Sequence, residues 1–351
     1  MYNEYVLSYV QIYCTLKHNF LQVLFAREVN LKISVIGAGR WGSLITWYLS
    51  AKRGFDVTLY GPATAADIQR FQRERRNDLL ELPETVKIST DISCLCGADV
   101  IVISINSQGL AGLIEEIEPL GLKNKTFVLC MKGIDIETGK RLSEVVTDGV
   151  DPSCAVAVWI GPGHVQEFYA GVPNCMVIDS ENKDVKKFLV ENFSSDLIRF
   201  YYGDDLIGNE IGAAAKNVIG IAAGMLDGLG LSSLKGALMS RGAREVSRLI
   251  AKMGGNELSA YGLCHLGDYE ATVFSKHSHN RMYGEMLVKG EKYDKLAEGY
   301  YTAKAIMKLA DKYGVDMPIC HAVYTVLYDG VQPKDAMHDL FERSLKPEFY
   351  N

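Results

Sequence analysis

The chain has 351 residues, 48% hydrophobic and 23% charged, the balance of an ordinary globular protein; at about 150 residues per domain it holds roughly two. A formal net charge of −6 excludes a basic footprint for nucleic acid or an anionic membrane, although a small anionic substrate needs only a local cation. The eight cysteines include no C-x-x-C pair and read as reduced, mostly buried thiols of a cytoplasmic protein rather than a disulfide framework. Cys94 and Cys96 stand close enough for a metal, but a crossing beside an apolar run explains them as well, so no metal site is assigned.

Residues 1–30 read as an N-terminal extension of unknown role, either a short amphipathic helix or upstream sequence outside the working protein. Their longest uncharged run, Tyr5 to Leu16, falls short of the about 20 apolar residues a membrane span needs. Glu4 and the missing basic start argue against a secretory signal.

The first clear element is the run Leu31 to Ile36, leading straight into Gly37-Ala38-Gly39-Arg40-Trp41-Gly42. A helix is predicted from about Gly42 to Arg53, then a second strand at Asp56 to Tyr60 ended by Gly61-Pro62. Apolar runs at Val100 to Ile105, Phe127 to Met131 and Ala155 to Trp159 suit strands covered on both faces, hence a parallel sheet. After about Tyr202 the pattern turns helical, at Ile211 to Leu226, Ser233 to Lys252, Gly299 to Lys312 and Cys320 to Tyr328. The predicted class is α/β: an N-terminal doubly wound (Rossmann-like) parallel sheet domain, residues 31–203, followed by an all-α C-terminal domain, residues 204–351.

Gly37, Gly39 and Gly42 fit G-x-G-x-x-G directly after a strand and at the opening of a helix. The first glycine permits the tight turn, the second lets backbone approach a pyrophosphate, and the third lets helix pack on strand. A glycine-rich turn in an unrelated α/β protein is the plainer alternative. NAD and NADP both stay open. The end of the second strand is Tyr60-Gly61-Pro62 with no acidic residue, Asp56 comes too early, and Arg70, Arg73, Arg75 and Arg76 follow only later.

Ile211 to Leu226 is rich in alanine and glycine, with Lys216 and Asn217 its strongly polar members. Either the Lys216 ammonium is buried, which lowers its pKa toward proton-exchange range, or it snorkels to the helix edge. Asp268 ends a glycine-rich turn and Ser278-His279-Asn280-Arg281 follows; these read as a carboxylate orienting the amine and a phosphate-holding quartet, or as ordinary polar loops. His277 and His279 lack a third metal ligand.

In this order the segments resemble the bacterial-type NAD(P)-dependent glycerol-3-phosphate dehydrogenase family over about residues 31–348. The likeness rests on the glycine turn, Met131-Lys132-Gly133-Ile134, Gly161-Pro162-Gly163, Gly208 to Ile219 with its Lys216-Asn217 pair, Gly267-Asp268, Asn280-Arg281, Ala297-Glu298-Gly299 and Met317-Pro318-Ile319-Cys320. The resemblance implies reversible hydride transfer between NAD(P)H and dihydroxyacetone phosphate, giving the sn-glycerol 3-phosphate backbone of phospholipids, in a cytoplasmic homodimer. It implies catalytic roles for Lys216, as general acid and base, and for Lys132 and Asp268. Those three residues, with Gly161, Gly163, Ser278, His279 and Asn280, would bind substrate; Gly37, Gly39, Arg40, Trp41, Gly42, Lys132, Val165, His279 and Glu298 would bind cofactor. The chain departs from the family pattern at Asn106 (proline), Met131 and Gly163 (serine) and His279 (arginine), with Lys276 or Arg281 as candidates to compensate for the last. A β-hydroxyacid dehydrogenase and a non-catalytic nicotinamide sensor are the alternatives.

Overall fold

The computed structural model describes residues 31–345, 347 and 348; the extension assigned to residues 1–30, with Cys14, lies outside the described residues. The described residues from Lys32 onward pack as one compact unit. Its strands are Lys32–Ile36 (β1), Asp56–Tyr60 (β2), Lys87–Ser89 (β3), Val100–Ile103 (β4), Thr126–Leu129 (β5), Ala155–Ile160 (β6), Asn174–Asp179 (β7) and Ile198–Tyr202 (β8). They form one sheet in the order β3-β2-β1-β4-β5-β6-β7-β8. All four residues of β4 are buried, as a strand covered on both faces requires.

The intervening helices are Arg40–Trp47 (α1), Ala66–Glu74 (α2), Leu110–Ile117 (α3), Leu142–Gly149 (α4), Val165–Tyr169 (α5) and Lys183–Phe193 (α6). Two points correct the sequence reading. The first helix starts at Arg40 rather than Gly42 and continues as a π-type turn, Tyr48–Lys52. The sheet is also not wholly parallel, because β7 runs antiparallel to β6. The connection fits this pairing: antiparallel neighbours need no crossover, and between β6 and β7 the only helix is the 5-residue α5, whose Phe168 packs on Trp41 with ring centroids 6.0 Å apart.

After β8 every helix or strand element among the described residues is helical: Leu206–Gly228 (α7), Lys235–Lys252 (α8), His279–Lys289 (α9), Glu298–Tyr313 (α10), Pro318–Tyr328 (α11) and Pro333–Glu342 (α12), with short helical turns between some of them. Asp205 caps α7 by accepting from the Gly208 N–H at 3.0 Å. α7 is buried almost throughout, and its small residues allow backbone contact with α9. A Cβ on Gly224 would lie 1.9 Å from the Arg281 carbonyl oxygen, and one on Gly284 2.1 Å from that of Ile221. No described helix is long and apolar enough to cross a membrane.

Candidate active site

The glycine turn leaves β1 at the point where the order of strands reverses, between β1 and β4. Gly37 has φ +107°, and a Cβ there would sit 2.2 Å from the Ser104 carbonyl oxygen after β4. A Cβ on Gly42 would lie 1.9 Å from the Gly37 carbonyl oxygen, so that glycine seats helix against turn. Gly39 is different: nothing lies within 4 Å of its Cβ direction. α1 begins there with no side-chain cap and no acidic residue in its first turn, leaving N–H donors and the positive helix end for an anion. These features fit a dinucleotide pyrophosphate. Asp56 stands at the start of β2, bound by Lys87 at 2.9 Å, and Arg70 is engaged by Asp78 at 2.8 Å.

On α7, Lys216 is only 8% exposed, which decides for burial over snorkelling. Its Nζ lies 2.8 Å from Asp268 Oδ2 and donates to Thr272 Oγ1 at 2.8 Å. Lys132, in the loop after β5, places its Nζ 2.6 Å from the same Asp268 oxygen and donates to the Gly161 carbonyl at 2.6 Å. Gly161 reaches this position with φ +140°, which favours glycine. Burial brings the Lys216 pKa from 10.5 down to about 8, Asp268 opposing the shift and Lys132 adding to it. Two ammoniums around one buried carboxylate leave a surplus of positive charge.

The turn carrying Asp268 is pinned from beneath. His265 donates from Nδ1 to the Gly212 carbonyl at 2.8 Å and accepts from the Tyr269 hydroxyl at 2.7 Å. Burial holds that ring neutral, with its pKa down at about 4. Asparagines tie the helices together: Asn217 donates to the Lys132 carbonyl (3.0 Å), Asn280 donates to Asn217 (3.0 Å), and Asn280 accepts from the Gly299 N–H (2.9 Å). Glu298 accepts from the Ser107 N–H and hydroxyl, its pKa raised by burial.

These groups surround one cavity of about 340 Å³. Arg40, Trp41, Lys132, Gly163, Val165, Lys216, Asp268, Ser278, His279, Asn280 and Glu298 all line it. Gly37, Gly39, Gly42 and Gly161 are not among its lining residues. Sequence reasoning missed Thr272 and His164 in the wall, and weighed His277 only as a metal ligand. Thr272 carries the one legible signal, standing four positions after Asp268, but its π-type turn Glu270–Phe274 follows no sequence pattern. Ser278 to Arg281 is not a loop: Ser278 caps α9, accepting from the Arg281 N–H at 3.3 Å. That cap lacks an acidic partner three positions on, so it gave no capping-box signature.

The departures acquire physical reasons. Gly163 has φ +139°, and a Cβ there would meet the Phe168 ring at 2.2 Å, so this wall has no room for a serine. His279 accepts from Arg40 at 2.8 Å, and burial with the Arg40 charge lowers its pKa. The lining cation beside His279 is therefore Arg40. Arg281 points away to Asp227 (2.7 Å) and Glu285 (2.8 Å), and does not compensate. Asn106 caps the turn Ser107–Gly109 by accepting from the Gln108 N–H. Met131 is simply buried.

A protonatable amine of adjusted basicity, sharing one cavity with a turn built for pyrophosphate, is what a nicotinamide-dependent oxidoreductase requires. The comparisons agree. Models of the N-terminus and C-terminus of NAD-dependent glycerol-3-phosphate dehydrogenase match residues 32–186 and 205–338, and the chain belongs to that family. A glycerol-3-phosphate dehydrogenase (NAD(P)+) of Prosthecochloris aestuarii is 39% identical over 332 residues, 90% of this chain and 99% of its own. One of Chlorobium limicola is 36% identical over 335 residues, 91% and 100%. The crystal structure of the glycerol-3-phosphate dehydrogenase of Coxiella burnetii superposes with a TM-score of 0.83 at 30% identity, covering 90% of this chain and 99% of that one.

Proposed function

We propose that this protein reduces dihydroxyacetone phosphate to sn-glycerol 3-phosphate with NADH or NADPH, and runs the reverse oxidation. The activity of its relatives supports the reading, and the observation that carries it is Lys216, buried and sharing Asp268 with Lys132. A bound reduced nicotinamide supplies the hydride that C2 of the ketone accepts. As that carbonyl oxygen becomes an alkoxide, the Lys216 ammonium stabilises the growing charge and then gives it a proton from Nζ. Oxidation reverses the step, the neutral amine accepting the alcohol proton. Lys132 orients substrate, while Asp268 holds both amines. Gly161, Gly163, Ser278, His279 and Asn280 complete the substrate side. Gly37, Gly39, Gly42, Arg40, Trp41, Val165 and Glu298, with Lys132 and His279, serve the cofactor.

The reading includes a dinucleotide domain over residues 31–203 and a substrate domain over residues 204–351, supported by the last strand ending at Tyr202 and helices beginning at Leu206. It also includes a homodimer, a reducing cytoplasm, supported by free thiols at every described cysteine, and supply of glycerol phosphate to phospholipids. The test is purified protein with dihydroxyacetone phosphate and NADH or NADPH in parallel. Loss of reduced-nicotinamide absorbance with at least one cofactor is expected; cofactor binding without turnover would instead favour a nicotinamide sensor.

A further inference from the structure

The proposed reaction needs a place for the substrate's phosphate, and the cations lining the cavity are already engaged. Arg40 is bound to His279, and Lys132 and Lys216 both to Asp268. A doubly charged phosphate draws on their surplus positive charge and on further N–H or O–H donors.

His164 offers one. Its Nε2 is buried and makes no hydrogen bond within the protein, although the ring lines the cavity. A buried polar nitrogen without a partner costs free energy that a ligand or water relieves. His277 stands edge-on to it, ring centroids 5.7 Å apart, on the exposed rim of the same cavity. The surrounding charges fix which end this is. Glu167, His277, Asp268 and Lys216 act on His164, whereas Arg40 and Lys295 act on His279. His164 therefore belongs to the lysine end, where the ketone reacts, and His279 to the nucleotide turn.

Resting on the functional reading above, we propose that His164, seconded by His277, is a specificity-determining residue that grips the phosphate of the three-carbon substrate. With substrate bound, the ring turns its unpartnered Nε2–H to a phosphate oxygen, and the ring at position 277 closes the rim. No covalent step is involved.

The test is steady-state kinetics of His164→Leu, His164→Gln and His277→Asn, with NADH affinity measured separately by its fluorescence. In His164→Leu, KM for dihydroxyacetone phosphate and for sn-glycerol 3-phosphate should each rise about tenfold or more, while kcat changes less than about threefold. Glutamine at 164, which carries an N–H near the Nε2 position, should recover part of that loss; His277→Asn should show a smaller rise in KM. NADH dissociation should move by less than about twofold in every variant. The proposal is overturned if KM is unaffected by His164→Leu, if NADH affinity falls with it, or if kcat falls as far as KM rises, the mark of a merely structural ring. Failure of the unaltered protein to turn over dihydroxyacetone phosphate is a separate result, which removes the functional reading and this proposal together.

Discussion

Lys216 owes its altered basicity to opposed effects: loss of hydration and the Lys132 charge favour the neutral amine, and Asp268 favours the ammonium. Burial wins, leaving the group near a pKa of about 8. The direction of the pH dependence follows. Ketone reduction needs the protonated amine, so its kcat/KM should be level below about 8 and fall above it. Alcohol oxidation needs the neutral amine, so its kcat/KM should rise with pH and level off above the same point. Removing the carboxylate by Asp268→Asn should move both breaks to lower pH, because the interaction that raises the lysine pKa is gone. Parallel pH profiles in the two directions check this; a break that stays put in the variant contradicts the assigned balance. The alanines and glycines around Lys216 made it conspicuous in the sequence, but composition could not say what would cover it. The Arg40–His279 contact joins residues 239 positions apart and has no sequence signature at all.

At the scale of elements, runs with a strong local cause were legible. The glycine turn follows from steric demands on three backbone positions, β4, β5 and β6 follow from largely apolar runs, and β1 and β2 from short β-branched segments beside turn residues. The peripheral strands were missed for the converse reason. β3 has only 3 residues, and β8 exposes Arg199, Tyr201 and Tyr202, so neither presents a continuous apolar run. Helix α9 was hidden because it is held by backbone proximity to α7 rather than by a wide apolar stripe. That contact makes a clear prediction. Gly284→Ala should destabilise the protein by about 1–3 kcal/mol through overpacking, read as a lower urea midpoint at unchanged slope. Gly236→Ala on α8, whose Cβ meets nothing within 4 Å, should be stabilising by about 0.4–1 kcal/mol. Equal effects at the two sites would deny that α7 and α9 touch through their backbones.

At the scale of the whole molecule, an acidic chain of net charge −6 accommodates an anionic substrate because a few cations are concentrated at one cavity between sheet and helices. The sheet contributes the nucleotide turn and Lys132; the helices contribute Lys216, Asp268 and the capped start of α9. The family likeness read from the sequence spans both halves, as the matches to residues 32–186 and 205–338 do. What it could not supply is the local repair around Gly163 and His279, which depends on Phe168 and Arg40 meeting them in space. Whether the Lys216 amine moves the proton is decided by Lys216→Ala, assayed with dihydroxyacetone phosphate and the preferred reduced nicotinamide. Turnover should fall by about a thousandfold while nicotinamide binding holds, and turnover within about tenfold of the unaltered protein would contradict it.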